Sequence, residues 1–371
     1  TQHTRSLNSN IIFIIGALGG LLFGFDTGVI SGASSLIESS LRLTITETSF
    51  VTSAVLIGSC IGALGVGGLA DRFGRKPLLF MASIFFIIGA LMSAFAPDFG
   101  IMILARIILG LAVGSASALT PAYLAELAPT ERRGSLQTLF QLMITLGILV
   151  AYFINIAFLG HNILGWSDWR WMLGTAVIPA LALFMGSLIL PESPRYLVRA
   201  GKKELSHKVL IRLRPEYTSE QINSELQDIE NADAKAHKCG IKELFTIGKA
   251  PLIAAIGLMF FQQLVGINSV IYYLPQVFIK GFHLSDSISI WISVGIGTVN
   301  FLSTILATKI MDKFPRKKLL IWGALVMGFS LGIITIINYT VNIETAAIFT
   351  IILIAIYIFG FAVSWGPICW I

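Results

Sequence analysis

Ten apolar segments, at residues 11–31, 51–70, 78–96, 101–127, 136–159, 171–191, 251–279, 287–311, 318–338 and 346–371, dictate what this chain can become. Each is long enough to cross the hydrocarbon core of a bilayer, which takes about 20 residues of helix. Inside lipid every backbone polar group must find its partner within the protein, so consecutive spans of this length are helices. A hydrophobic content of 55%, only 12% charged residues and a mean hydropathy of +0.82 agree with an all-α polytopic membrane protein. The tenth segment runs into Ile371 with no polar flank, so the chain is expected to stop inside or just after a span. A cleaved leader at the first segment would leave an odd number of spans and spoil the charge alternation, which makes a retained span the expectation.

Charge placement gives the orientation. Alternate loops, beginning with the N-terminus, hold 22 of the 26 Lys and Arg, whereas the opposite loops hold only Arg42, Arg170 and Lys280, and Arg106 lies within a span. Basic loops are retained in the cytoplasm, so the N-terminus is expected there and the protein is expected in the cell membrane. The net charge of +6 is then a matter of topology and of contact with membrane lipids. No surface combines basic and aromatic residues as nucleic-acid binding requires, and no nucleic-acid partner is expected.

Residues 192–250 separate six spans from the next four and hold most of the Lys and Glu. The chain therefore divides into an N-terminal half (1–191), a cytoplasmic linker (192–250) in which stretches such as 219–236 could form short amphipathic helices, and a second half (251–371). The charged turn Asp71-Arg72-Phe73-Gly74-Arg75-Lys76 between two spans is echoed at Asp312-Lys313-Phe314-Pro315-Arg316-Lys317. Tandem halves with weak internal similarity are how transporters build two conformations around a central site. Enzyme chemistry finds little support: no Ser/His/Asp set can be assembled, and the glycines from Gly16 to Gly24 lack the strand and the Lys of a phosphate loop. Cys60, Cys239 and Cys369 lack ligand spacing, so neither a disulfide nor a metal is expected, and no cofactor.

Asp26, within Gly24-Phe25-Asp26-Thr27-Gly28, sits in span 1, where a central Asp costs about 2.5–3.5 kcal/mol to insert and needs a partner. Arg106 in span 4 is expected at a similar depth, with both residues roughly 7–8 Å from the outer ends at 1.5 Å per residue. A carboxylate in such a place is pulled two ways, since desolvation favours its protonated form and a nearby guanidinium its ionised form. Movement of one against the other would load and release a proton; a static pair that fixes helix packing is the plainer reading.

Four motifs stand in order: GGLADRFGRK at 67–76; Pro121, Tyr123, Glu126, Pro129, Arg133 and Gly134; PESPR at 191–195; and QQLVGIN at 262–268. With them the whole chain resembles the sugar porter family of the major facilitator superfamily. The resemblance implies two six-helix halves with two further spans beyond Ile371, transport by alternating access, and a monomer. It implies a monosaccharide substrate, glucose or a related hexose. The family's symporters carry Asp at the position of Asp26, where its facilitative carriers have Asn, which points to protons as the second partner. Facilitative uniport and a non-transporting sugar receptor on the same fold are the alternatives.

Sugar hydroxyls need side chains that both donate and accept, with an apolar face for the ring. Gln141, Gln262, Gln263, Asn268, Asn300 and Trp370 meet that need and match the family's sugar-contacting positions. Intramembrane amides also serve as packing glue between helices, a reading that stands for Gln141, Gln263 and Asn300. Gln262 and Gln263 point about 100° apart on a regular helix, so both reach one ligand only if the helix is distorted, and Gly266 and Pro275 provide for that. Gly366-Pro367 is expected to break span 10 beside Trp370 as a gate. Tyr272 and Tyr273 are either gate residues or interfacial anchors. The resemblance also implies a cytoplasmic latch of Asp71, Arg75, Glu126 and Arg133, joined by Glu192 and Arg195. Its second copy departs from the pattern at Lys313 and Pro315.

Overall fold

The computed structural model describes residues 9–129, 132–236, 249–311 and 313–370. Cys239, Asp312 and the side chain of Arg133 lie outside the described residues. Among the described residues ten helices are long and apolar enough to cross a membrane: Ser9–Ser40, Ile45–Phe73, Arg75–Phe95, Phe99–Leu127, Leu136–Phe158, Asp168–Ile189, Lys249–Gly281, Asp286–Ile310, Arg316–Thr340 and Ile343–Ile368, called spans 1 to 10 in that order. Spans 1 and 2 run well past their apolar segments, and several others begin up to a turn earlier than theirs. The extra turns are held by polar side chains that satisfy the orphan N–H groups of a helix start. Thr44 and Glu47 cap span 2 reciprocally, Glu47 N–H donating to Thr44 Oγ1 (3.2 Å) and Thr44 N–H to Glu47 Oε2 (2.8 Å). Asp98, Ser285 and Asn342 cap spans 4, 8 and 10. All four capped starts lie at one end of the bundle, the far end; Asp71 and the charged linker mark the other, the charged end.

Among the described residues the linker holds the helices Pro194–Arg199, Lys203–Leu213 and Ser219–Ala236. Span 1 is buried between spans 4 and 5, and the approach is close. A Cβ built on Gly24 would lie 1.9 Å from the Ile144 carbonyl oxygen, so only glycine allows this crossing. One apolar core fills the interior of the N-terminal half around Phe25, Phe86 and Trp169. A second joins the two halves, bringing Phe140, Ile148 and Tyr152 against Ile267, Ile271, Tyr357 and Phe361.

Among the described residues four spans are interrupted: span 1 at Ala17, span 6 at Thr175–Ala176, and, more sharply, spans 7 and 10. Span 7 stops at Leu264 and resumes at Ile267, with Gly266 in the left-handed region (φ 83°), and its last turn, Val277–Gly281, is a π-helix. In span 10 the break falls at Ser364 (φ −124°, ψ −85°), ahead of the expected Gly366-Pro367, and a short turn Trp365–Ile368 follows. Pro367 explains the offset: it has no N–H for the Val363 carbonyl, and its ring forbids the carbonyl four residues back from staying in the helix.

Candidate functional site

Asp26 and Arg106 meet in the middle of the N-terminal half, 1% and 0% exposed. The contact is two-pronged: Arg106 Nη1 donates to Asp26 Oδ1 and Nη2 to Oδ2 (3.2 Å), while Nε donates to the Val51 carbonyl of span 2 (3.3 Å). Three spans thus share one buried ion pair. The expected equal depth from the helix ends does not hold, because span 1 continues through Gly32-Ala33-Ser34-Ser35 to Ser40. Asp26 lies fourteen residues, roughly 21 Å, before that end.

The next residue, Thr27, lines a cavity of about 100 Å³ between the halves. Gln141, Gln262, Gln263, Asn268, Asn300 and Trp370 all line it, with Phe23, Ile144, Ile148, Ile267, Ile271 and Phe361 as its apolar wall. The amides form a relay: Asn268 Nδ2 donates to Gln263 Oε1 (2.7 Å), Gln263 Nε2 to Gln262 Oε1 (3.4 Å), and Gln262 Nε2 to the Trp365 carbonyl (3.3 Å). Across the cavity Trp370 Nε1 donates to Gln141 Oε1 (2.8 Å), and its ring stands edge-on to Phe140 at 4.8 Å. Asn300 is 4% exposed and its Oδ1 has no hydrogen-bond partner among the described residues. A buried unpaired acceptor costs about 1–3 kcal/mol, a penalty that a hydroxyl placed in the cavity would relieve.

The breaks in spans 7 and 10 open onto this cavity. At Gly266 the freed carbonyl of Val265 accepts from the Tyr357 hydroxyl (2.6 Å), and at Ser364 the carbonyl of Trp365 accepts from Gln262. Irregular backbone at membrane depth is tolerated where protein groups or a cavity satisfy it, as here. The break places Gln262 and Gln263 at the end of one half-helix and Asn268 at the start of the next. Gly366 lies against Gln141, where a Cβ would sit 3.2 Å from Nε2.

Toward the far end the halves are tied by spans 1 and 7. Ser31 Oγ donates to the Ile271 carbonyl (2.8 Å), Gln276 Nε2 to Ser34 Oγ (2.7 Å), and Lys280 Nζ pairs with Glu38 (2.9 Å). Tyr272 is 4% exposed, inside the N-terminal apolar core, and so is no interfacial anchor. Tyr273 packs at the margin of the same core.

At the charged end Arg75 Nη2 pairs with Glu126 Oε1 (2.9 Å) and Asp71 Oδ1 (3.4 Å). Glu192 accepts from the N–H groups of Arg75 (3.0 Å) and Lys76 (3.3 Å), placing negative charge at the positive end of span 3. Arg195 does not join them. It is exposed in the first turn of Pro194–Arg199 and forms no ion pair among the described residues. Arg199 pairs with Asp71 (2.8 Å) and Asp233 (3.2 Å).

Sequence reasoning passed over Thr27, Ser31, Tyr357, Trp365 and Arg199. Thr, Ser and Tyr are ordinary in membrane helices, so only the nearby charge of Asp26 marked Thr27. Tyr357 carried a fainter signal as a hydroxyl deep in an otherwise apolar span.

Comparison with known proteins gives the chain its place. The family model described as "Sugar (and other) transporter" matches residues 12–371. A D-xylose transporter of Levilactobacillus brevis is 45% identical over 370 residues, covering 99% of this chain and 79% of the relative. The glucose transporter GlcP of Staphylococcus epidermidis is 43% identical, with 98% and 80% covered. Among solved structures, the proton:xylose symporter XylE of the major facilitator superfamily, bound to 6-bromo-6-deoxy-D-glucose, superposes with a TM-score of 0.87 at 33% identity, over 98% of this chain and 81% of that one. This chain is a membrane transporter with the major facilitator fold, not an enzyme, and belongs to the sugar transporter family.

Proposed function

We propose that this chain carries a monosaccharide, glucose or a related hexose, across the cell membrane together with a proton, as a monomer with its N-terminus in the cytoplasm. The observation that carries the reading is the adjacency of a two-pronged Asp26–Arg106 pair to an amide-lined cavity, with Thr27 in the wall of one and next in sequence to the other. While Arg106 grips both carboxylate oxygens, a proton and the guanidinium compete for the same lone pairs. Opening of the pair gives the proton its place; closing expels it. Arg106 itself stays charged throughout.

Sugar and proton are linked through span 7. A sugar drawn to Gln262, Gln263, Asn268 and Asn300 acts on the broken helix whose second half is bonded to span 1 through Ser31 and Ser34. Span 1 carries Asp26. The named substrates of the relatives, xylose and glucose, support a monosaccharide of this size.

Uptake of radiolabelled glucose, xylose and galactose into proteoliposomes, with and without an inward proton gradient, tests the proposal. Accumulation above equilibrium that collapses with the gradient is expected, with glucose preferred. Equilibration that ignores the gradient would replace symport by uniport, and binding without flux would replace transport by a receptor.

A further inference from the structure

Away from the central cavity, a groove of about 420 Å³ lies at the far end of spans 3 and 6. Its walls are apolar, formed by Leu91 and Phe95 of span 3, Ile178 of span 6, and Leu164 and Trp166 of the loop between spans 5 and 6. Arg170 is the only charged residue among those lining it.

The loop is built to hold that wall in place. Trp171 Nε1 donates to the Ile163 carbonyl (3.1 Å), and Gly160 N–H donates to Asp168 Oδ2 (3.0 Å). The tight turn puts Leu164 in the left-handed region (φ 52°), which a Leu adopts at a cost, and leaves its side chain 83% exposed. Trp166 stands edge-on to Phe95 at 5.1 Å. In water this arrangement exposes apolar surface for nothing; beside lipid it extends the groove by one turn of chain.

Arg170 sits at the rim. One nitrogen donates to the Ala94 carbonyl at the end of span 3 (2.9 Å), and the guanidinium packs over Trp169 at 4.3 Å and Trp166 at 5.5 Å. It makes no ion pair with a carboxylate among the described residues, so its charge is left unmatched beside an apolar trough. We propose that this groove is a binding site for one anionic phospholipid, with an acyl chain along Leu91, Phe95 and Ile178 and the phosphate on Arg170. Trp166 and Trp171 flank it at the level where indole rings meet headgroups.

Native mass spectrometry of the full-length protein, titrated with phosphatidylglycerol or phosphatidylcholine of equal chain length, tests the assignment. The first phosphatidylglycerol is expected to bind about fivefold tighter than phosphatidylcholine, the effect of one basic residue at an anionic surface. Arg170→Gln should erase the preference and Arg170→Lys should keep it. Because Arg170 also ties span 6 to span 3, a second variant fills the groove without touching it. A Cβ at Gly174 meets only Ala94 Cβ at 3.6 Å, so Gly174→Leu should fold, transport sugar and lose the tight lipid. A preference that survives Arg170→Gln, or a tight lipid that survives Gly174→Leu, would overturn the proposal.

Discussion

Asp26 carries the heaviest burden of any residue here, being a carboxylate in the middle of an apolar bundle with a single cationic partner. Removing one member of a buried pair strands the other, at about 3–5 kcal/mol. Arg106→Gln should therefore lower the thermal midpoint sharply, and the Asp26→Asn, Arg106→Gln double variant should recover much of the loss; no recovery would mean that the two side chains contribute independently. Asp26→Asn alone should abolish accumulation driven by a proton gradient yet spare sugar counterflow. Loss of counterflow as well would make Asp26 a structural residue. Gln262→Ala and Asn300→Ala should each weaken sugar binding about tenfold, the value of a hydrogen bond in a dry site, as read by calorimetry; an unchanged affinity would remove that residue from the site. These positions were legible in the sequence because charges and amides are conspicuous among apolar neighbours. Thr27 and Arg199 were not, since choosing Arg199 over Arg195 depends on where a six-residue helix leaves its two ends.

Among the elements, the broken spans matter most. Gly266 and Pro367 announced the interruptions, but not that the Tyr357 hydroxyl would close one of them from another span. Tyr357→Phe should leave the Val265 carbonyl unsatisfied and cost about 1–3 kcal/mol, seen as a lower thermal midpoint; no change would mean that water or another donor serves that carbonyl. Helix ends were read short because apolarity marks where a span meets lipid, whereas caps such as Thr44 and Asn342 mark where the helix begins. That error misplaced Asp26 relative to the end of span 1 without disturbing its pairing, which depends on the packing of spans 1, 2 and 4. The Lys280–Glu38 pair joins the halves at the far end and must part when that end opens. Exposed pairs are worth about 0–1 kcal/mol, so Lys280→Gln should shift the population modestly toward the state open at the far end. Labelling of a cysteine introduced near Ser34 would report the shift, and unchanged labelling would deny the pair a role in gating.

At the scale of the molecule, two halves meet along spans 1, 5, 7 and 8, with the amide-lined cavity in the seam and the Asp26 pair beside it within the N-terminal half. Ten apolar segments and four ordered motifs were enough to read the major facilitator fold. The relative placement of spans from different halves was not readable, because it is set by packing across hundreds of residues rather than by any local pattern. The central claim is that sugar and proton move together through Asp26. Its most direct test is to add sugar to the outside of weakly buffered proteoliposomes of the full-length protein and to record external pH alongside labelled sugar. Alkalinisation in step with sugar entry, absent in Asp26→Asn vesicles that still exchange sugar, is the predicted result; sugar entry by the unaltered protein with no change in pH would contradict it.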